Sequence, residues 1–159
     1  MKILIELPTW MGDAVMASAA IENIVNYYNS PEITLIGSSI SIEVLKNHPC
    51  VKRSHVLTKK YISLIKIVRN LSDFDVFFSF RSSLRSTILK LLVSSKNKYQ
   101  YKNSQYQNRH QVEKYNDFVN DSLDTNFMAG KLVVHKGKKL ITNNSKPLVG
   151  INPGASYGS

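Results

Sequence analysis

The chain has 159 residues, 43% of them hydrophobic, and a formal net charge of +10. That is room for one globular domain with a core of its own, and no apolar run approaches the ~20 residues that cross a bilayer. The single cysteine, Cys50, excludes an internal disulfide, fits a reducing compartment and reads as a small buried hydrophobe.

Lys2–Leu7 is a short apolar run suited to a strand buried on both faces. Interrupted by Glu6 and lacking a small-residue cleavage site, it does not read as a signal peptide, and the expected compartment is the cytoplasm. Pro8 to Gly12 cannot extend the strand and forms the turn. Asp13 to Tyr28 follows as a helix with Val15, Ala19, Ile21, Ile24 and Val25 on its inner side. "SPEITLIGSS" reads as a turn, a strand over Ile33–Gly37 and a helix start, and Ile42, Val44 and Leu45 support a short helix ending near "NHP". "SHVLT" is a weaker third strand. Lys60 to Leu71 has helical spacing, with Ile62, Leu64, Ile65 and Val68 expected inward. "FDVFFSF", Phe74–Phe80, is aromatic and β-branched throughout, the clearest strand in the chain. "SSLRSTILKLLVSS" is a helix capped by Ser82 or Ser83.

"KNKYQYKNSQYQNRHQ" is expected to hold a strand and an exposed loop, and "QVEKYNDFVNDSL" an amphipathic helix. "KLVVHKGKKLITNNSKP" reads as a hairpin or linker, and "LVGINPGASYGS" as a strand entering a glycine-containing loop. Strands alternating with helices of about a dozen residues predict an α/β fold with a doubly wound parallel sheet. Residues 1–140 are expected to form one Rossmann-like domain. Residues 141–159 read as a linker and the first strand and loop of a second domain. Because that loop has the form of an anion-binding turn with no helix after it, the chain reads as a fragment.

Charge is unevenly placed. Residues 1–80 carry eight Lys/Arg against seven Asp/Glu, residues 81–140 twelve against four, and residues 141–159 a single lysine. A basic half beside a neutral half suits an anionic partner: nucleic acid, a phosphorylated glycolipid or an inner membrane surface. A lysine-rich solubilising surface accounts for the same composition.

Ligands of open α/β sheets bind outside the carboxyl ends of the strands, where Asp13 falls. As helix chemistry, an acid there complements the dipole, worth about 0.3–1 kcal/mol. As site chemistry, with Trp10, Met11 and Val15 around it, it is a candidate general base for a bound hydroxyl. Gly12 would then keep the approach open. "PTWMGDAV" has one glycine where a dinucleotide fingerprint uses three. "SFRSSLRS" ends the best strand, so Arg81, Ser82 and Ser83 are expected on the same edge, the arginine suited to a phosphate or carboxylate or simply to a solvated helix start. His110, Glu113 and Lys114 share a helix side, and His110 reads either as a substrate contact or as a surface histidine. His48, His55 and His135 are scattered and no cysteine pair supports them, so no metal site is expected. Neither a Gly-x-Ser-x-Gly elbow nor a P-loop occurs. Tyr99, Tyr101 and Tyr106 among lysines could stack bases or sugars.

Taken together, "MKILIELPTWMGDAVMASAAIENI", "SFRSSLRSTIL", "RHQVEKY" and "LVGINPGASYGS" resemble the N-terminal half of the lipopolysaccharide heptosyltransferases, the heptosyltransferase II branch in particular. The resemblance implies the N-terminal domain of a glycosyltransferase B fold and inverting transfer of heptose from ADP-heptose onto the lipopolysaccharide inner core, at the cytoplasmic face of the inner membrane. It implies Asp13 as the general base, Trp10, Met11, Gly12, Arg81, Ser82 and His110 toward the acceptor, and Asn152, Pro153, Gly154, Ala155 and Ser156 as a donor loop. No cofactor, metal or nucleic acid is expected, and a fragment lacking most of the donor site is expected to be inactive. The alternative is a non-enzymatic basic α/β module that binds nucleic acid.

Overall fold

A computed structural model describes residues 1–58 and 61–137. Five strands, β1 (Lys2–Glu6), β2 (Glu32–Gly37), β3 (Val51–Val56), β4 (Phe74–Ser79) and β5 (Ser95–Gln100), form one sheet in the order β3-β2-β1-β4-β5. Every neighbouring pair is parallel, with Ile3 opposite both Ile33 and Val76. The five helices are α1 (Met11–Tyr27), α2 (Ser39–Leu45), α3 (Tyr61–Arg69), α4 (Leu84–Leu92) and α5 (Gln111–Leu123), with a 3₁₀ turn at Asn103–Gln105. The predicted doubly wound α/β architecture is present, and order reverses across β1 and β4, the place where such sheets open a crevice.

β1 and β4 lie inside the sheet and bury side chains on both faces, which is why their sequences are apolar almost without a break. Ile3, Ile5, Leu7, Val76, Phe78 and Phe80 meet the core under α1, α2 and α5. Leu4, Ile36 and Phe77 meet a smaller core with Leu64 of α3 and Leu89 and Val93 beside α4. In α1 the alanines Ala14, Ala17, Ala19 and Ala20 are buried, allowing the helix to lie close on the sheet. α5 packs along α1, and the chain after it returns to α1: Asn23 Nδ2 donates to the Met128 carbonyl, and the Val133 amide donates to Ser18 Oγ.

Three expectations shift. α1 begins at Met11, with Trp10 as its N-cap residue, so Asp13 stands in the first turn of the helix. The third strand starts at Val51, not Ser54; it is an edge strand with Lys52, Arg53 and Ser54 exposed, and so lacks the apolar alternation that marks a strand. On α3, Leu64, Ile67 and Val68 face the sheet while Ile62 and Ile65 are exposed. Ser83 is the cap of α4, accepting from the Ser86 amide. Residues 131–137 carry no regular structure. The expected unit over 141–159, its donor loop included, lies outside the described residues.

Candidate functional site

β1 delivers the chain to the carboxyl edge of the sheet, where Leu7–Trp10 turns into α1. This turn is held from behind. The Leu7 amide donates to the Ile36 carbonyl, Ser38 Oγ donates to the Thr9 carbonyl at 2.8 Å, and Ser41 Oγ donates to the Pro8 carbonyl. A Cβ on Gly37 would stand 3.2 Å from Leu7 Cβ, so the close approach of β2 to the turn favours glycine there.

The turn forms one wall of an open cleft of about 320 Å³. Pro8, Thr9, Trp10 and Asp13 line it on that side, Phe80, Arg81, Ser82 and Ser83 on the side of β4, and Tyr101, Asn103, Gln111 and Tyr115 across the end. The Asp13 carboxylate is half-buried, and among the described residues none gives it a hydrogen bond or an ion pair. It does not cap its own helix, since the N-terminus of α1 has no side-chain cap. Trp10 leaves 73% of its surface exposed on the rim, which is high for the largest apolar side chain.

Beneath this cleft lies a buried acid. Glu6, at the end of β1, has no exposed surface. Ser79 Oγ donates to its Oε2 at 2.5 Å, Ser86 Oγ donates to its Oε1 at 2.9 Å, and Arg81 Nη1 stands 3.7 Å from Oε1. Burial pushes the Glu6 carboxyl above the usual carboxylate range, opposed by the Ser79 hydrogen bond and by Arg81. Ser79 also accepts from the Arg81 amide at 3.3 Å, and Gln100 Nε2 donates to the Arg81 carbonyl. The "SFRSSLRS" segment is thus wired from below. Its first and last serines and its first arginine share one carboxylate, which holds the guanidinium at the cleft.

The far wall is aromatic. Tyr101 packs on Tyr106, Tyr115 and Phe118, and Phe80 meets Tyr115 edge-on. Burial raises the phenol pKa values of Tyr101 and Tyr115, and in both the nearby Asp13 charge adds to the shift. Both phenols therefore remain neutral beside the carboxylate across the physiological range. Tyr106 is buried too, its hydroxyl donating to Asp121 Oδ2 at 2.7 Å. This removes the proposed base-stacking platform: two of its three tyrosines are core residues, and Tyr99 packs against Phe78.

No protein-family model matches the chain. It is 35% identical, over 167 aligned positions, to lipooligosaccharide heptosyltransferase 2 of Campylobacter jejuni serotype O:2, a match that takes in all of this chain and 51% of that protein. The serotype O:6 protein of the same name is 34% identical, again along the whole chain. The chain is a homologue of one half of these heptosyltransferases. It spans about half the length of the curated relatives it matches. Among solved structures, a glycosyl transferase family 9 protein from Veillonella parvula superposes with a TM-score of 0.72 at 13% identity, over 86% of this chain and 45% of that one. E. coli ADP-heptose LPS heptosyltransferase II gives 0.65 at 14% identity, over 87% and 47%. E. coli heptosyltransferase WaaC, solved with ADP, gives 0.64 at 14%, over 79% and 48%. These likenesses show the fold, the N-terminal domain of the glycosyltransferase B type.

In this homologue of the heptosyltransferases the cleft gathers Trp10, Asp13, Arg81 and Ser82 from the predicted set. Met11 and Gly12 are exposed on the first turn of α1 and are not among the lining residues; a Cβ on Gly12 would meet no protein atom within 4 Å. His110 also stands outside the lining. It is the N-cap of α5, its Nδ1 accepting from the Val112 amide while Glu113 accepts from the His110 amide, and the neighbouring Gln111 reaches the cleft instead. Sequence reasoning missed Glu6, Tyr115 and Gln111 as parts of the site. An acid inside an otherwise apolar buried strand was the available signal for Glu6. The donor-loop residues Asn152, Pro153, Gly154, Ala155 and Ser156 lie outside the described residues.

The histidines are less scattered than the sequence suggested. His48 and His135 meet edge-on at 4.7 Å and both face Glu22, whose Oε1 lies 3.0 Å from His48 Nε2 and 3.7 Å from His135 Nε2. The Cys50 amide donates to His48 Nδ1, so the neutral ring carries its proton on Nε2, pointed at Glu22. A metal-ligating histidine needs the opposite arrangement, a lone pair toward the ion and an N–H on the far nitrogen. The His48–Glu22 hydrogen bond ties the chain after α2 to α1, and His135, from the chain after α5, packs against both without a hydrogen bond of its own among the described residues.

Proposed function

We propose that this domain is the acceptor-holding half of an inverting glycosyltransferase that moves heptose from ADP-heptose onto a lipopolysaccharide inner core, with Asp13 as general base. The observation that carries the reading is the Asp13 carboxylate itself: at the carboxyl edge of the sheet, open to a cleft, and engaged by no described residue. In the proposed step an acceptor hydroxyl gives its proton to Asp13 while its oxygen attacks the anomeric carbon of heptose. The bond from that carbon to the ADP oxygen breaks on the opposite face, and ADP leaves with the bonding pair, so the configuration inverts. A base that must take up a proton works best when no other donor occupies its oxygens, which is the state of Asp13.

Arg81, steadied by Glu6, would meet a phosphate or sugar-acid group of the acceptor. The exposed Trp10 ring would cover a sugar face, with Ser82 offering a hydroxyl beside it. Gly12 would leave room for the approaching acceptor. In this reading His110 serves the site by starting α5, which carries Gln111 and Tyr115. The loop Asn152–Ser156 would turn backbone amides and the Ser156 hydroxyl toward the ADP phosphates. The displacement asks for no cofactor or metal, and the enzyme would work at the cytoplasmic face of the inner membrane with a lipid-anchored acceptor and no nucleic acid partner. Its contact with that membrane would be peripheral; among the described residues no helix is long and apolar enough to cross one.

The test is Asp13→Asn in the protein as it occurs in the cell, assayed for heptose transfer from ADP-heptose to an inner-core acceptor. Loss of a general base lowers turnover by about 10²–10⁴-fold, and the melting curve is expected to stay close to wild type. Turnover near wild type in the folded variant removes Asp13 from the chemistry.

A further inference from the structure

The helices divide by charge according to the sheet face on which they pack. α1, α2 and α5 cover one face and carry every helical carboxylate: Asp13, Glu22, Glu43, Glu113, Asp117 and Asp121. α3 and α4 cover the other face and carry no acid at all, but four cations, Lys66, Arg69, Arg85 and Lys90. The connection from α3 to β4 adds Asp73, and Asp75 at the start of β4 is engaged by the Lys2 amide and by Lys96. Arg85 is turned inward, donating to the Thr58 carbonyl and lying over the Tyr61 ring. Among the described residues Lys66, Arg69 and Lys90 have no ion-pair partner.

The same two helices expose apolar side chains that their packing does not require. Leu64 and Leu89 supply the buried contacts. On the outer sides Ile62 is 70% exposed and Leu84 and Leu91 are each 75% exposed, with Ile65 also open. Leu84 and Leu91 are seven residues apart, two turns along one stripe of α4, and Ile62 and Ile65 are three apart on α3. α3 and α4 pack side by side. An apolar stripe edged by lysine and arginine, with no carboxylate on either helix, has the chemistry of an interface-lying surface, apolar groups at the headgroup–acyl boundary and cations on lipid phosphates. A protein partner surface would not require this one-sided charge.

We propose that the outer face of α3 and α4 is the surface by which the protein lies on an anionic lipid bilayer. Leu84 begins α4 immediately after Ser82 and Ser83 of the cleft, so a bilayer seated there would bring lipid-anchored molecules to the mouth of that cleft. This deepens the proposed function by naming its membrane contact and rests on that reading for its purpose, but its test needs no transfer activity.

The experiment is sedimentation of the protein with phosphatidylcholine vesicles, with and without phosphatidylglycerol. The expected result is binding to the anionic vesicles alone, weakened by salt. Lys66→Glu with Arg69→Glu lowers the partition coefficient at least tenfold, as does Ile62→Ser with Leu91→Ser, while Lys46→Glu, at the C-cap of α2 on the other face, leaves it unchanged. All these sites are exposed, and circular dichroism verifies the fold. Equal binding to neutral vesicles, absence of binding, or wild-type binding by either double variant overturns the proposal. So does an Ile62→Ser, Leu91→Ser protein whose only change is a lower melting temperature or altered oligomeric state, since the face is then covered by polypeptide. Failure here with Asp13→Asn still inactive would leave the catalytic reading standing.

Discussion

Glu6→Ala takes away the one acceptor shared by Ser79, Ser86 and Arg81. Two buried hydroxyls lose their carboxylate acceptor, but Ser79 keeps the Arg81 carbonyl and Ser86 keeps Ser83 Oγ, so the cost lies at the low end of about 1–3 kcal/mol each; relief from burying a charge returns part of that, leaving a net loss of about 1–3 kcal/mol at neutral pH. Arg81 adds little to the total because it is partly exposed and water can solvate it. Glu6→Gln keeps the shape and one acceptor, and its amide can donate to a serine oxygen once the hydroxyl rotates, so its cost is expected below about 1 kcal/mol. The pH dependence separates the two roles of the group. Because burial raises the Glu6 pKa, the folded protein keeps a proton that the unfolded chain has already released between the ordinary carboxylate value and the raised one. Stability contributed by this group therefore falls as pH rises through that window and recovers as pH drops below it. Urea denaturation at a series of pH values, read by circular dichroism, should show this slope in wild type and not in Glu6→Gln. An alanine variant as stable as wild type, or a glutamine variant as damaged as alanine, would refute the shared-acceptor account. If the carboxylate also holds Arg81 in place, Glu6→Gln raises the acceptor KM in a transfer assay while leaving kcat within a few-fold.

Gly12→Ala meets no protein atom and stands in a helix, so its fold is expected to gain between zero and about 1 kcal/mol. A drop in acceptor turnover in that stabilised protein marks the space above Gly12 as substrate space, and unchanged turnover denies it. Burial holds the His48 pKa below its ordinary value of 6.5 despite the facing Glu22. The unfolded chain then takes up a proton that folded His48 refuses, so stability declines as pH falls from about 6.5. Thermal melts of wild type and His48→Gln across that range should converge at the acid end, and parallel curves would deny the role of the ring.

The sequence is most readable where one physical demand acts alone. β1 and β4 must be apolar on both sides, and "QVEKYNDFVNDSL" matches α5 residue for residue because a capping box fixes its start and Asp124, left-handed at φ 53°, ends it. Asp13 is legible by its place, at the carboxyl edge of the sheet after the opening strand, although the helix dipole also favours an acid in that first turn. The third strand is misplaced because an edge strand has only one face to bury. The inner side of α3 is misread because isoleucines occur on both sides of it, and periodicity alone does not say which stripe meets the sheet. Tyr101 and Tyr106 resemble a basic-aromatic surface in sequence, and only tertiary packing shows them as core. Glu6 is the reverse case, a polar residue whose partners are separated from it by more than seventy residues.

Among the described residues the sheet ends at two margins, β3 and β5, whose outer backbone groups pair with no further strand. Both margins carry positive charge, Lys52 and Arg53 on one and Lys98 on the other, beside Lys96 in its ion pair with Asp75. Margins of like charge repel, so two molecules meeting strand to strand would be pushed apart before their backbones could join. Some of the surplus cations of this chain would thus oppose edge-to-edge association of its copies, whatever anion the rest of them attract.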